Sequence, residues 1–334
     1  MYLYAQEIIF AMKKLFCLVF VSIFSFAFNL LAQNAPAAYS IKGLDVAEKR
    51  AQQVRYLSLP ERYRKLALPM SVDNSTKPYM RSVFSQQWYP TCMQCSSVGY
   101  TYNYEVNRVR NLPGDTSANH HAVLYTWNYA NDEGDDGLDF FFTYDVIQKQ
   151  GIPKVPTYGA DAVEFPPTLW MNGYDKYYEA MHNRLDEVMG IKLDTEDGIN
   201  TLRAWLYDHL DGSPDGGLAV FASSGYGPMY QFEEGTPEAG KSFYPNLLNY
   251  VAHGLAIVGY NDSVRYDYNH DGRYTNNVDI NYDGVLDVRD WEKGAFKIVN
   301  SHGVSYADSG FAYIMYNCMT RTRNPLIRQN SVCG

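Results

Sequence analysis

Residues 83–92 read VFSQQWYPTC, residues 253–261 read HGLAIVGYN, and residues 297–303 read KIVNSHG. Together these stretches supply a thiol, an imidazole and amide groups, which are the parts that a cysteine nucleophile needs. A thiol reacts as its thiolate, so it requires a base, a group that orients the base, and donors for the developing oxyanion. The three stretches therefore indicate nucleophilic catalysis by a cysteine.

At these residues the chain resembles the papain-like cysteine peptidases, in particular secreted bacterial members that carry a calcium-loop insertion. That family has a glutamine shortly before its nucleophile, a histidine that opens a strand ending in Gly-Tyr, and an asparagine in an Asn-Ser-x-Gly run. The matching residues here are Gln86, Cys92, His253 and Asn300, within a resemblance that covers about residues 68–317.

The resemblance implies a role for each of these residues. His253 would pair with the thiolate as an imidazolium and later protonate the leaving amine, while Asn300 would accept the proton on the other ring nitrogen. Gln86 and the backbone N–H of the nucleophile would form the oxyanion hole. The implied activity is that of an endopeptidase acting on a protein or peptide substrate through a thioester acyl-enzyme.

Two alternatives stay open within this assignment. The spacing from Gln86 favours Cys92 as nucleophile, but Cys95 matches the second cysteine of a C-x-x-C pair found in some members. Either thiol would lie at a helix N-terminus, which lowers a thiol pKa. Met93 and His302 stand where the family usually has a tryptophan after the nucleophile and an aromatic shield over the His–Asn bond. A catalytically silent binding or adhesion module is therefore the alternative function.

The N-terminus predicts export. Residues 15–28 (LFCLVFVSIFSFAF) form an apolar run that follows two lysines and precedes a small residue, Ala32. A run this short is typical of a signal peptide, because a spanning helix needs about 20 apolar residues. We therefore expect residues 1–32 to be removed, with Met12 as an alternative start, and the mature protein to be secreted, extracellular or periplasmic, without a membrane span.

Composition limits the other function classes. The chain has 334 residues, of which 46% are hydrophobic, and a net charge of −9. It is therefore neither disordered nor a good electrostatic match to nucleic acid, and we expect a monomer. We predict an N-terminal arm or short pro-segment (33–67), a catalytic domain (68–320) and a C-terminal tail (321–334).

Helical patterns precede strand patterns, which predicts an α+β fold. Helices are expected to begin near Cys92 and to cover 176–189 and 195–210. Strands are expected at 217–222, 253–260, 295–300 and 310–316. The resemblance implies two subdomains, one helical and one built on an antiparallel sheet or barrel, that meet at a cleft.

An acidic insertion, 263–292, contains a repeat with a period of twelve residues. Oxygen side chains at positions 1, 3 and 5 of a loop, followed by glycine, suit a hard cation such as Ca²⁺ in a structural role. The predicted ligands are Asp267, Asn269 and Asp271 in the first loop, and Asp279, Asn281, Asp283, Val285 (through its carbonyl), Asp287 and Asp290 in the second. A solvated Asn/Asp-rich turn and a dockerin-like docking element are the alternatives.

Four cysteines remain after signal-peptide removal, which is too few for a disulfide scaffold. Cys318 and Cys333 could form a local disulfide. His120 and His121 are expected to be surface or structural residues, because no Gly-Tyr ending follows them.

Overall fold

Helices dominate the first half of the chain and strands the second half, from Ala219 onward. The computed structural model describes residues 41–42, 49–131, 136–162, 170–223, 227–247, 252–320 and 331–333. The predicted signal peptide and most of the predicted tail lie outside the described residues. The predicted α+β class is confirmed by this content.

Helix α2 carries the first candidate site residue at its N-terminus. It runs through an α-helical turn (Cys92–Gln94), a π-helical stretch (Cys95–Tyr102) and an α-helical end (Asn103–Arg110). The other helices are α1 (Glu61–Arg64), α3 (Val123–Asn131), α4 (Phe140–Gln150), α5 (Val155–Tyr158), α6 (Tyr174–Met181), α7 (Glu196–Asp208) and α8 (Tyr316–Thr320). Short 3₁₀ turns cover Asn74–Thr76, Ser117–Asn119 and Val288–Asp290.

Ten strands form one sheet. The strands of the chain are β1 (Ile41–Lys42), β2 (Arg55–Tyr56), β3 (Ser71–Asp73), β4 (Gly137–Leu138), β5 (Met189–Ile191), β6 (Ala219–Ser223), β7 (Tyr230–Gln231), β8 (Ser242–Tyr244), β9 (His253–Arg265), β10 (Lys293–Val299), β11 (Phe311–Met315) and β12 (Ser331–Cys333). The sheet order is β2-β5-β12-β6-β9-β10-β11-β8-β7, with β3 beside β9. The prediction of an antiparallel sheet is wrong for two pairs, β2–β5 and β8–β11, which are parallel because long segments separate their strands.

Strand β9 and helix α2 approach each other closely at Gly254. A Cβ atom on Gly254 would lie 2.8 Å from Met93 Cα and 2.7 Å from Ser96 Oγ. Such distances are well below van der Waals contact, so a glycine is needed here for the sheet to pack on the helix. This approach brings the start of β9 next to the start of α2.

The described part of the arm packs against the body of the chain. Strand β2 pairs with β5, and Tyr63 Oη donates to the carboxylate of Asp208 at 2.6 Å. Farther upstream, β1 pairs in parallel with β4, and Leu138 O of β4 accepts a hydrogen bond from Gln94 Nε2 in α2. A pro-segment function for 33–67 stays a prediction.

Most predicted elements are confirmed within a few residues, with one clear exception. Helix α6 ends at Met181, whereas the prediction extended it to Met189, which instead begins β5. The side chain of Arg110 donates to the carbonyl of His182 and to Asn183 Oδ1, and so binds groups just past the helix end. None of the described helices has the length and apolar character needed to cross a bilayer.

Candidate active site

The thiol of Cys92 lies at the N-terminus of α2 and is almost fully buried. Its Sγ is 4.0 Å from the carbonyl oxygen of Ala252, and the backbone N–H groups of Gly254, Met93 and Cys92 itself bond toward the sulfur. Ala252 and Gly254 are the two chain neighbours of His253. The structure therefore brings Cys92 and His253 together across the junction of α2 and β9.

Two opposing effects act on the thiol. Burial raises the pKa of Cys92, and the surrounding backbone N–H groups lower it by a smaller amount. The predicted lowering by N–H groups at the helix terminus thus acts against desolvation, which the sequence analysis did not consider. The donors remain in place to stabilise a thiolate once it forms.

The imidazole of His253 is oriented by Asn300. His253 Nε2 donates to Asn300 Oδ1 at 2.8 Å, and the N–H of Ser301 donates to the same oxygen at 2.7 Å. These two donors fix the amide orientation, so Nδ1 is the ring nitrogen that accepts a proton in the neutral histidine. The strand register makes this contact possible, because Asn300 follows β10, which pairs with β9. Burial lowers the pKa of His253 to about 4, and the bond to Asn300 partly opposes this.

Gln86 is held beside the other site residues by Ser301. Gln86 Oε1 accepts a hydrogen bond from Ser301 Oγ at 2.5 Å, and the Gln86 N–H donates to Ser301 O at 2.7 Å. Gln86 Nε2 donates to Tyr89 O at 2.6 Å, and an amide nitrogen has a second N–H for another acceptor. Ser301 was missed by the sequence analysis as a positioning residue, although its place directly after Asn300 could have suggested it.

Cys95 occupies a different environment. It is fully buried inside the π-helical stretch, and its Sγ lies 3.6 Å from Thr91 Oγ1. Burial raises the pKa of Cys95 to about 12. The geometry therefore favours Cys92 over Cys95 as the thiol that works with His253.

The two departures from the family pattern have distinct neighbours. Met93 is buried against Gly254 of β9. The ring of His302 lies parallel to that of His253, with the ring centroids 4.9 Å apart and an interplanar angle of 3°. His302 thus covers one face of the histidine that Asn300 orients.

His120 and His121 are buried, so the surface option predicted for them is wrong and the structural one fits. His121 Nδ1 lies 2.6 Å from Asn103 Oδ1, and its ring packs edge-on against Tyr102. His120 Nε2 lies 2.7 Å from the carbonyl oxygen of Gly114.

In the second acidic loop a buried carboxylate organises the turn. Asp290 Oδ1 accepts from the N–H of Ile280, and its Oδ2 accepts from the N–H of Asp287. These donors are positions 2 and 9 of the loop that begins at Asp279. Asp279 Oδ1 is buried and has no hydrogen-bond partner among the described residues.

Glu292 plays the same part in the first loop, which begins at Asp267. Glu292 Oε1 accepts from the N–H of Tyr268, and its Oε2 accepts from the N–H of Thr275, again positions 2 and 9. The sequence analysis missed this residue, because it searched position 12 and found Val278. The lack of an acid at that position was a signal to look for one elsewhere in the insertion.

The remaining acidic side chains of the second loop are engaged by Arg289. Its guanidinium contacts the carboxylates of Asp283 and Asp287, at 2.6 Å in each case. Within the described part of the chain, no group of three or more His, Cys, Asp or Glu side chains is arranged to hold a metal ion. The predicted donor set also includes asparagine side chains and a backbone carbonyl, and its oxygen-only chemistry fits calcium.

The pairing of Cys318 with Cys333 stays a prediction. Cys318 is buried in α8, and the side chain of Cys333 lies outside the described residues.

Comparison with solved structures identifies the architecture. The chain is similar to xylellain, a cysteine protease from Xylella fastidiosa, with a TM-score of 0.56 and 17% identity over 88% of this chain and 93% of that one. It is also similar to the bromelain protease from Ananas comosus (TM-score 0.52, 14% identity, 79% of this chain and 98% of that one). The digestive procathepsin L 3 of Tenebrio molitor gives a TM-score of 0.50 with 13% identity, over 91% of this chain and 85% of that one.

The fold is papain-like. No protein-family model and no curated protein matches the chain. At identities this low the likeness establishes the fold, and the chemistry has to be argued from the residues themselves.

Proposed function

We propose that this chain is a cysteine peptidase that hydrolyses peptide bonds with Cys92 as nucleophile and His253 as base. The observation that carries the proposal is the convergence at one junction of the α2 N-terminus, the start of β9 and the end of β10. The Cys92 thiol contacts Ala252 and Gly254, the residues before and after His253 in the chain, and His253 in turn bonds to Asn300.

The reaction follows from these positions. His253 Nδ1 takes the thiol proton, and Cys92 Sγ forms a bond to the carbonyl carbon of the substrate. Gln86 Nε2 and the Cys92 N–H donate to the resulting oxyanion. The imidazolium then protonates the leaving amine as the C–N bond breaks, which leaves a thioester. Water, deprotonated by His253, hydrolyses the thioester and regenerates the thiol.

Burial favours the neutral forms of both groups, because it raises the pKa of Cys92 and lowers that of His253. Proton transfer from sulfur to nitrogen leaves the net charge of the pair unchanged. The three backbone N–H groups around Sγ and the Asn300 carbonyl oxygen then stabilise the two new charges. The groups that stabilise the ion pair are therefore already in place when substrate binds.

The test is covalent labelling with an epoxysuccinyl probe, which alkylates activated thiolates. It uses mature protein recovered from the medium, whose N-terminus we expect at Gln33, and a His253→Ala variant as the control. We expect one adduct per chain on Cys92, located by mass spectrometry, and loss of that adduct in the variant, because the thiol then lacks its base.

Other results of this experiment would contradict the proposal in different ways. An adduct on Cys95 would keep a cysteine peptidase but replace the nucleophile. No adduct on either residue, in folded protein with reduced thiols, would favour the silent binding module. An N-terminus upstream of Gln33 or retention inside the cell would contradict export.

The proposal includes a structural role for Ca²⁺ in the 263–292 insertion. The ligands would be those predicted from the repeat, with Glu292 added to the first loop because it copies the contacts of Asp290. The buried, unpartnered oxygen of Asp279 supports the second loop. Arg289 would leave Asp283 and Asp287 when a cation takes its place. Calcium outside the cell is normally high enough to saturate sites of this kind.

Calcium should raise the melting temperature of the parent chain by about 5 °C at a hundredfold excess over its dissociation constant. In Glu292→Gln the rise should be roughly halved and calorimetric titration should count one ion instead of two, because one loop loses its bidentate acid. Glu234→Gln, which changes an exposed carboxylate outside the insertion, is the matched control. Equal calcium responses in parent and Glu292→Gln would remove Glu292 from the ligand set, and no response in the parent would remove calcium.

A further inference from the structure

His302 is the titratable group stacked on the proposed base. Its ring is parallel to that of His253, with 4.9 Å between the ring centroids. His302 covers a face of the His253 imidazole, whereas Asn300 bonds to the edge of that ring at Nε2. The side chain that covers His253 is therefore itself able to gain a proton. An imidazolium carries a full positive charge, whereas an uncharged aromatic ring at the same place would not.

The backbone around His302 is fixed on both sides. The N–H of Gln86 donates to Ser301 O, and the N–H of Gly303 donates to Phe84 O, with Ser85 and His302 forming a bridge between the two segments. The backbone of His302 is therefore held beside the segment that carries Gln86. A charge on His302 would act directly on the base.

Among the described residues, His253 and Tyr306 are the titratable groups whose rings lie beside that of His302. From β9 the facing group is His253, and from the loop after β10 it is Tyr306, with ring centroids 6.0 Å apart. The hydroxyl of Tyr306 bonds to that of Tyr244 at 2.6 Å. From the segment before α2 the facing residues are Ser85 and Gln86, which do not titrate. Of these groups, His253 is the one that can become cationic.

Two adjacent imidazolium rings oppose each other. Like charges within about 4–6 Å disfavour the charged form of both groups. Burial, together with the neighbouring His253, lowers the pKa of His302 to about 4. Formation of the catalytic ion pair places a positive charge on His253, so the ion pair and a protonated His302 exclude each other.

We propose that His302 is a positioning residue whose neutral ring holds and shields His253, and whose protonation switches off the thiolate–imidazolium pair in acid. The inference rests on the proposed peptidase chemistry, since it assigns His302 a part in the same site. Its consequence is that either of two protons stops the reaction on the acid side: one taken up by the Cys92–His253 pair, or one taken up by His302.

The test compares the parent chain with His302→Trp and His302→Gln, which remove the titration with and without an aromatic ring. His182→Gln, which changes an exposed histidine on the surface, is the matched control. The rate of Cys92 alkylation by iodoacetamide and kcat/KM for a peptide are measured from about pH 7 downward, with tryptophan fluorescence confirming the native state at each pH.

In the parent and in His182→Gln the rate should be halved at a pH about 0.3 unit higher than in both His302 variants, because either of two mutually exclusive protons of similar pKa stops the reaction. Equal half-rate pH values in all four proteins would overturn the inference. If Cys92 reacts in none of them at any pH, the proposed function fails instead.

A second measurement decides the coupling even in an inert protein. The ring of His302 is titrated by NMR in the parent and in His253→Gln. We expect its midpoint to rise by at least about half a pH unit in the variant, because the opposing charge is gone. An unchanged midpoint would show that the rings do not sense each other's charge, and would overturn the inference.

Discussion

Replacing Cys92 by Ala should lower kcat/KM for peptide hydrolysis by about 10⁴-fold or more, because it removes the atom that forms the thioester. The variant should still fold, since the alanine leaves the backbone contacts of Gly254 and Met93 in place. The measurement is steady-state hydrolysis of a fluorogenic peptide, with melting temperatures to show that both proteins are native.

Cys95→Ala is the matched control, three residues along the same helix. It removes a fully buried thiol whose contact is Thr91 Oγ1, so it should cost some stability through a small cavity and leave kcat/KM within about tenfold of the parent. The reverse pattern, with Cys95→Ala inactive and Cys92→Ala active, would contradict the nucleophile that the geometry favours.

The free energy of unfolding should fall steeply as the pH decreases from about 6.5 toward 4. Burial lowers the pKa of His121 to about 3 and that of His253 to about 4. Below pH 6.5 the unfolded chain therefore binds protons that the folded chain does not bind. The free energy of unfolding that is present above pH 6.5 is lost as the pH falls. Each such histidine contributes about 1.4 kcal/mol per pH unit over this window.

Asp139 acts in the opposite sense. Burial raises its pKa to about 6, so between pH 6 and 3.8 the folded chain holds a proton that the unfolded chain lacks, and stability is gained as pH falls. Urea unfolding at several pH values can separate the two effects. His121→Gln should flatten the pH dependence. Asp139→Asn should steepen it, because asparagine keeps the N-cap bond to Phe142 without the titration. Changed stability with an unchanged slope in both variants would contradict this account.

The candidate site residues could be predicted from the sequence because the proposed chemistry constrains residue type and spacing together. Cys92, His253 and Asn300 lie far apart in the chain, yet each lies at the start or end of a helix or strand that the sequence pattern predicts. The thiol pKa could not be found this way. It depends on how completely β9 covers Cys92, which is set by the approach of Gly254 to Met93.

The features that the sequence analysis did not predict share a physical cause. Each depends on a contact with a distant part of the chain. Glu292 completes a loop that begins twenty-five residues earlier at Asp267, and no local spacing rule connects the two. The end of α6 is held by Arg110, a residue on another helix. Local patterns predict elements well, but their ends and supports come from tertiary contacts.

The pairing of β1 with β4 has a consequence for the edge of β4. Leu138 of β4 bonds to the helix that begins with Cys92, so the edge of β4 lies beside the proposed nucleophile's helix, and Ile41–Lys42 already use that edge. An extended peptide that pairs with the same edge has to compete with a strand tethered to the same molecule. A strand that belongs to the same chain competes at a much higher effective concentration than a separate peptide. A dilute peptide is therefore at a disadvantage at this edge for as long as the tethered strand stays attached.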